Sequence, residues 1–269
     1  MNDIQGHSGD EGLASLAIDP DVLARELEAE LVGDPLDDIA LEGFDSDDLN
    51  IARECDLGLQ WLKQGHEERL QGLRVFCEHR DPRALPLLVP LLQEPCPVER
   101  MSAVYALGRN PCPRAVKILL KLLRTDSNAY VRKATAWSLG NYSDSPVLKP
   151  LIHSLQNDVA AVRLWASGSL AEAGANSIKK ASLATSQLLI SLEIDNEPLV
   201  RSNCIWALGR LYESLELLLR DQVEEALLNV LLSDSEPSVR YEARTVLEQI
   251  DNPPLEQRLK RLIDQGLLA

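Results

Sequence analysis

The stretch "VRKATAWSLGN", residues 131–141, has the pattern of one amphipathic helix and has relatives along the chain. Each relative carries an arginine that follows a valine or a glutamate, and most continue through small residues to a leucine. The arginines are Arg69, Arg100, Arg132, Arg163, Arg201 and Arg240, separated by 31, 32, 31, 38 and 39 residues. A period of this length indicates a repeat architecture.

A leucine-rich stretch precedes each copy except the weak first one, for example "RAVKILLKLLRTD" at 114–126. Leucines at i, i+3, i+4 and i+7 predict a helix with one buried stripe. Two short helices cannot bury their apolar faces alone, so neighbouring pairs must stack. We therefore predict an all-α fold, an α-solenoid (superhelix) in which helix A lies outside and helix B lines the concave side. The two larger spacings are assigned to longer connectors at 173–182 and 212–221.

The charge is unevenly distributed. Of the net −15, residues 1–48 supply fifteen acids and one base, whereas residues 49–269 hold 27 acids and 26 bases. We predict an acidic N-terminal segment at 1–48 and a solenoid at 49–269 with five to six helix pairs and a C-terminal capping helix. The acidic segment is expected to be disordered or loosely docked, or alternatively to present a linear motif. Neither part predicts a phosphate-neutralising surface, which disfavours nucleic acid as a partner.

Several functional classes lack a supporting pattern in the sequence. No apolar run is long enough for a membrane span, and the first residues do not resemble a signal peptide. We expect a cytoplasmic or plastid-stromal protein. No phosphate loop, nucleophile elbow or paired catalytic carboxylates occur, and the five cysteines form no CxxC pair. The sequence predicts no catalytic residue, no metal site and no cofactor, with an intrachain metal site near Cys77 and Cys112 as the weaker alternative.

Two recurring features are interpreted as structural. An acid precedes each repeat arginine, as in Asp126–Arg132 and Asp195–Arg201, which predicts an arginine that stabilises the stack. The glycines Gly108, Gly140 and Gly209 are expected to end helix B by relieving backbone strain.

The aromatic residues of helix B remain unassigned by this pattern. With about 100° per residue, the position five residues after the arginine points away from the leucines. Either these rings fill crevices between adjacent B helices, or they line the concave groove as a binding surface, because Trp, Tyr and Arg dominate interfaces. The predicted groove residues are Tyr105, Trp137, Trp206, Arg109, Asn141 and Arg210.

The repeat motif resembles HEAT repeats. An acid closes helix A, Val-Arg opens helix B, and small residues lead to Leu-Gly, over residues of about 67–250. The short unit resembles the phycobilisome-lyase type of cyanobacteria and plastids. The unit "CPVERMSAVYALGRNPCP" with "NAYVRKATAWSLGN" is most similar to members that associate with A-type iron–sulfur carriers.

The resemblance implies two functions. The first is a non-catalytic scaffold or adaptor that holds a protein partner in the concave groove, in iron–sulfur or phycobilisome metabolism. An exposed Cys96 or Cys112 would then lie near an iron–sulfur cluster held by the partner. The second is a lyase or isomerase subunit that binds a bilin and acts on phycobiliproteins, with aromatic rings stacked on the tetrapyrrole and arginines on its propionates.

Overall fold

The computed structural model describes residues 48–267, which form thirteen α helices and two short 3₁₀ helices. The first seven α helices are α1 Asp48–Trp61, α2 His66–Glu78, α3 Leu85–Leu91, α4 Pro97–Arg109, α5 Val116–Thr125, α6 Ala129–Gly140 and α7 Leu148–Asn157. The remaining six are α8 Ala160–Gly174, α9 Ile178–Ile194, α10 Pro198–Leu211, α11 Leu217–Ser233, α12 Pro237–Gln249 and α13 Pro253–Asp264. The 3₁₀ helices are Pro82–Ala84 and Tyr212–Ser214.

The helices α1 to α12 form six successive A/B pairs, and α13 follows the last pair. Successive B helices from α2 to α12 pack extensively on one another, whereas successive A helices touch sparsely. The stack is therefore tighter on the B side, which makes the B layer the inner face of the solenoid. The predicted all-α solenoid is confirmed. None of the helices within residues 48–267 combines the length and the apolar character that a membrane span requires.

The core lies between the A and B layers and follows the repeat pattern. In α6, Val131, Thr135, Ser138 and Leu139 are fully buried, as the opening stretch predicts. Leu119 and Leu151 of the A helices are also fully buried. Burial of such side chains stabilises the fold by about 1.5–3 kcal/mol each.

The larger spacings late in the chain have a different cause from the predicted one. Helices α9 and α11 each contain 17 residues, whereas α5 and α7 contain 10. Residues 178–182 and 217–221 are helical, so the additional residues lengthen the A helices and the prediction of longer connectors is wrong. The helical signal was weak there because these segments mix polar and apolar residues without one stripe.

The repeat arginines connect neighbouring units. Nε and Nη2 of Arg201 donate to the two carboxylate oxygens of Asp234, at 2.8 and 2.7 Å. Nη1 of Arg201 donates to the backbone carbonyl of Asp195, 3.0 Å away. Arg100, Arg132 and Arg163 form equivalent ion pairs with Asp126, Asp158 and Asp195. We call these four arginine–aspartate pairs the ladder, and each pair is one rung.

This geometry corrects the predicted pairs. The sequence paired each arginine with the acid of its own unit, but that acid supplies only its backbone carbonyl. The carboxylate comes from the next unit, so each rung ties two units together. Burial alone would raise the pKa of Asp234, yet the hydrogen bonds from Arg201 and from the Glu236 N–H hold that pKa below its ordinary value.

The recurring glycines also have a different role from the predicted one. Gly108 and Gly209 lie inside α4 and α10, Gly140 is the last residue of α6, and none of the three has a positive φ. A Cβ on Gly108 would lie 2.3 Å from Trp137 Cζ3, and one on Gly209 would lie 2.7 Å from Val246 Cγ1. The glycines therefore make room for side chains of the next B helix.

The prediction of a disordered or docked acidic segment at 1–48 lies outside the described residues, except that Asp48 begins α1.

Candidate binding groove on the B-helix face

The predicted groove residues fall into two groups, of which the first spans α4 and α6. The Tyr105 and Trp137 rings are 5.3 Å apart between centroids and inclined at 54°. The Arg109 guanidinium carbon lies 6.0 Å from the Trp137 ring centroid, within the range of a cation–π contact. All three side chains are half-buried, and Trp137 packs against Gly108. For this group the rings fill the crevice between adjacent B helices.

The second group spans α10 and α12 and is more open. Trp206 keeps 40% of its surface exposed, and the Arg210 guanidinium carbon lies 6.0 Å from its ring centroid. Both residues line a cavity of about 490 Å³. Arg210 also lies 3.6 Å from a carboxylate oxygen of Glu172, with both side chains largely exposed. Here the aromatic ring and the guanidinium group face open space.

Two acidic side chains line this cavity that the sequence did not predict. Glu242 of α12 and Glu213 of the second 3₁₀ helix line the cavity beside Trp206. Burial raises the pKa of the Glu242 carboxyl above its ordinary value. Glu242 lies two residues after Arg240, on the flank of the helix, so only the spacing of α10 and α12 places it in the cavity.

The remaining predicted residue, Asn141, follows α6 and is exposed. Helix α8 separates the first group from the second. Gly168 of α8 lies beneath the Trp206 ring, and a Cβ on Gly168 would lie 3.8 Å from Trp206 Cζ3. The six residues therefore do not form one continuous stripe. They form a packed cluster at α4–α6 and an open cavity at α10–α12.

The cysteines lie mostly in the core. Cys112 keeps only 6% of its surface, so the expectation of an exposed thiol there is wrong. The backbone N–H of Cys112 donates to the Tyr142 hydroxyl at 3.2 Å, which fixes this turn beneath the next unit. Cys204 is fully buried, in agreement with the prediction that it packs in the core. Across residues 48–267, no three His, Cys, Asp or Glu side chains are grouped closely enough to hold a metal ion.

We expect Cys96 to be the one cysteine of the five whose thiol reacts quickly with a disulfide reagent at pH 8. Cys96 is half-buried, whereas Cys55, Cys112 and Cys204 are buried. Burial raises the pKa of Cys77 and of Cys204 to about 12, which removes the reactive thiolate. The measurement is the stopped-flow absorbance of the released thiol, with Cys96→Ser as the control that removes the fast phase. A fast phase that persists in Cys96→Ser would contradict the assignment.

Comparison with known proteins decides the family. The family model described as HEAT repeats matches residues 59–140, 85–171 and 116–209. Together these matches span residues 59–209, which is more than half of the 269-residue chain. The chain belongs to the HEAT-repeat family. No curated protein matches the sequence of this HEAT-repeat protein.

Solved structures share its fold at low identity. A chain of the "Kap95:Nup1 complex" gives a TM-score of 0.58 at 17% identity, over 91% of this chain and 35% of that one. The designed armadillo repeat protein YIII(Dq)4CqI gives 0.53 at 19% identity, over 72% and 99%. The complex of CpcE and CpcF of phycocyanin lyase from Nostoc sp. PCC7120 gives 0.51 at 24% identity, over 62% and 99%. These likenesses establish the HEAT/armadillo type of solenoid.

Proposed function

We propose that this HEAT-repeat protein is a non-catalytic scaffold that holds a segment of another protein at the α10–α12 cavity. The observation that carries the proposal is the exposed Trp206 ring beside Arg210 in a cavity of about 490 Å³. Solenoids of stacked helix pairs typically bind partners along an extended inner surface. A structural relative, a designed armadillo repeat protein, is seen in complex with the peptide (KR)4.

The chemistry of the cavity defines the segment that it accepts. Trp206 offers a flat apolar face, and Glu242 and Glu213 offer acceptors for N–H groups or for a cationic side chain. The raised pKa of Glu242 reflects a carboxylate that burial has deprived of water, so a cation beside it would regain that interaction. An extended peptide with an apolar and a basic residue matches these groups.

The cluster at α4–α6 has a supporting role in this proposal. Tyr105, Trp137 and Arg109 are already engaged with one another, so they present a fixed rim on the same B layer. Asn141 adds an exposed amide next to that rim. We place the strongest contact at Trp206 because it has the largest open aromatic area of the three rings.

The metabolic setting is the finer part of the proposal. The resemblance of the repeat units to members that associate with A-type iron–sulfur carriers supports a partner in iron–sulfur metabolism. Because Cys112 is buried, Cys96 is the one of these two cysteines with the exposure to approach a cluster held by such a partner. The likeness to the phycocyanin lyase complex supports the alternative setting in phycobilisome metabolism.

Replacing Trp206 with alanine is expected to weaken the partner complex at least tenfold, since a central aromatic at an interface contributes about 2 kcal/mol. Affinity capture from a lysate of the source organism, with wild type and Trp206→Ala side by side, identifies proteins whose recovery depends on the ring. The dissociation constant of the purified candidate is then measured for both proteins.

The matched control is Leu217→Ala, which removes an exposed apolar side chain from the A helix α11. It is expected to leave both capture and affinity unchanged. Identical captured proteins and equal affinities for wild type and Trp206→Ala would refute the scaffold proposal at this cavity.

A second candidate is a bilin lyase subunit, favoured by the fold shared with the CpcE and CpcF complex. In that case Trp206 would stack on the tetrapyrrole and Arg210 would pair with a propionate. Addition of a bilin to the pure protein, with and without an antenna subunit, tests this. An unchanged absorbance spectrum and no transfer would exclude it.

A further inference from the structure

The outer A layer contains a second surface whose chemistry differs from that of the inner groove. Helices α5 and α7 border a groove of about 660 Å³. Lys117, Lys121 and Arg124 lie at i, i+4 and i+7 on α5, which places them on one face of that helix. Lys149 and His153 lie at i and i+4 on α7 and form the opposite rim.

Within residues 48–267, no acidic side chain pairs with the basic side chains of this groove. Neither α5 nor α7 contains an acidic residue. The side chains of Lys117, Lys121, Arg124 and Lys149 are exposed, and none of them forms an ion pair with another residue in the described range 48–267. The acids that follow the two helices, Asp126 and Asp158, are engaged in the ladder. The near-neutral charge of residues 49–269 as a whole conceals this local concentration.

The floor of the groove is apolar. Ile118, Leu120, Leu123 and Pro150 line it between the two basic rims. A ligand that only neutralises charge leaves this floor exposed to water, whereas a ligand with apolar and acidic groups on one face satisfies both parts. This favours a protein segment over a nucleic acid, whose sugar–phosphate backbone has no apolar group for the floor.

The spacing of the charges defines the form of the segment. From Lys117 to Arg124 is seven residues, or about 10 Å along the helix at 1.5 Å per residue. A partner helix with carboxylates at i, i+4 and i+7 repeats that distance, and its leucines at intervening positions reach the floor.

We propose that the α5–α7 groove binds an acidic amphipathic helix of a partner protein. The site lies on the A layer and does not depend on the function proposed for the inner cavity. Its affinity is expected to fall with increasing salt, because the rim charges are exposed and screened by ions.

The test uses the full chain and a fluorescein-labelled synthetic helix of about 14 residues, with three glutamates at i, i+4 and i+7 and leucines beside them. Fluorescence anisotropy is expected to show saturable binding at low salt. The variant Lys117→Glu/Lys121→Glu/Arg124→Glu is expected to weaken binding at least tenfold, and Lys149→Glu on the other rim to weaken it severalfold.

The matched control is Arg53→Glu/Lys63→Glu/Lys260→Glu, which makes the same charge change at exposed positions on or beside α1 and α13. Because exposed charges far from the groove contribute little, this control is expected to bind the probe with an affinity within about twofold of wild type. Circular dichroism verifies that both triple variants are folded.

Four outcomes would overturn the proposal. The first is no binding of the probe, and the second is equal weakening in the two triple variants. The third is equal binding of a probe in which glutamine replaces the glutamates. The fourth is tighter binding of a duplex RNA of equal charge that the α5 variant abolishes, which would assign the groove to nucleic acid.

Discussion

Replacing Arg201 with alanine is expected to lower the free energy of unfolding by about 3 kcal/mol or more. The Arg201 and Asp234 side chains keep only 11% and 9% of their surface, and two hydrogen bonds of 2.7 and 2.8 Å join them. Truncation leaves the Asp234 carboxylate largely buried without its counter-charge and leaves the Asp195 carbonyl without the Arg201 donor. The cost is the desolvation of the abandoned groups, which exceeds the net value of the pair.

The measurement is urea unfolding followed by far-UV circular dichroism. The matched control is Arg210→Ala, whose partner Glu172 is 3.6 Å away and whose two side chains are 60% and 50% exposed. Such a pair contributes about 1 kcal/mol or less, so the control is expected to remain close to wild type. The double variant Arg201→Ala/Asp234→Ala is expected to be less destabilised than the sum of the single variants. Equal losses for Arg201→Ala and Arg210→Ala would show that the ladder does not hold the stack.

The fold could be predicted because the repeat period and the leucine stripe are local properties of the sequence. The partner of each ladder arginine could not be predicted in the same way. Asp195 and Asp234 each precede the arginine of their own unit by six residues, and only the offset between stacked units brings Asp234 to Arg201. A repeated pattern reveals that an interaction recurs without revealing whether it lies within a unit or between units.

The candidate site could be predicted only in part for a related reason. A helical wheel assigns Trp137 and Trp206 the same direction, since both lie five residues after the repeat arginine. Both rings lie near a glycine of the preceding B helix, but a Cβ on Gly108 would lie 2.3 Å from Trp137 Cζ3, whereas one on Gly168 would lie 3.8 Å from Trp206 Cζ3. Trp206 also lines the open cavity between α10 and α12. Glu242 could not be predicted because its role depends on how α12 is placed against α10.

The second large effect is expected for Gly108→Ala, which we predict to destabilise the protein by about 2 kcal/mol. The new methyl group would lie 2.3 Å from Trp137 Cζ3, well inside van der Waals contact, so the ring must move. That movement disturbs the contact between the Trp137 and Tyr105 rings, whose centroids are 5.3 Å apart, and the cation–π contact between Arg109 and the Trp137 ring. Alanine gains about 1 kcal/mol in helix propensity over glycine, which offsets only part of the cost.

The destabilisation by Gly108→Ala is expected to disappear when the Trp137 ring is absent. In a Trp137→Ala background no large group opposes the new methyl, so Gly108→Ala should be neutral or stabilising by up to about 1 kcal/mol. Gly140→Ala is the matched control at the same position of the next repeat. There the nearest atoms are the Ser169 Oγ at 3.0 Å and the Ser169 Cβ at 3.3 Å, a much milder overlap than 2.3 Å, and a change below about 1 kcal/mol is expected.

Urea unfolding of the four proteins in this cycle measures the coupling between residues 108 and 137. A loss that persists in Trp137→Ala would place the requirement for glycine in the backbone of α4, as the strain-relief interpretation of the sequence holds. Loss of the effect in that background would establish that the glycine is required because the neighbouring repeat inserts an indole there. In the Trp137→Ala background the two interpretations predict different outcomes for Gly108→Ala, a loss of stability for a helix-ending glycine and no loss for a packing glycine, so the cycle distinguishes them.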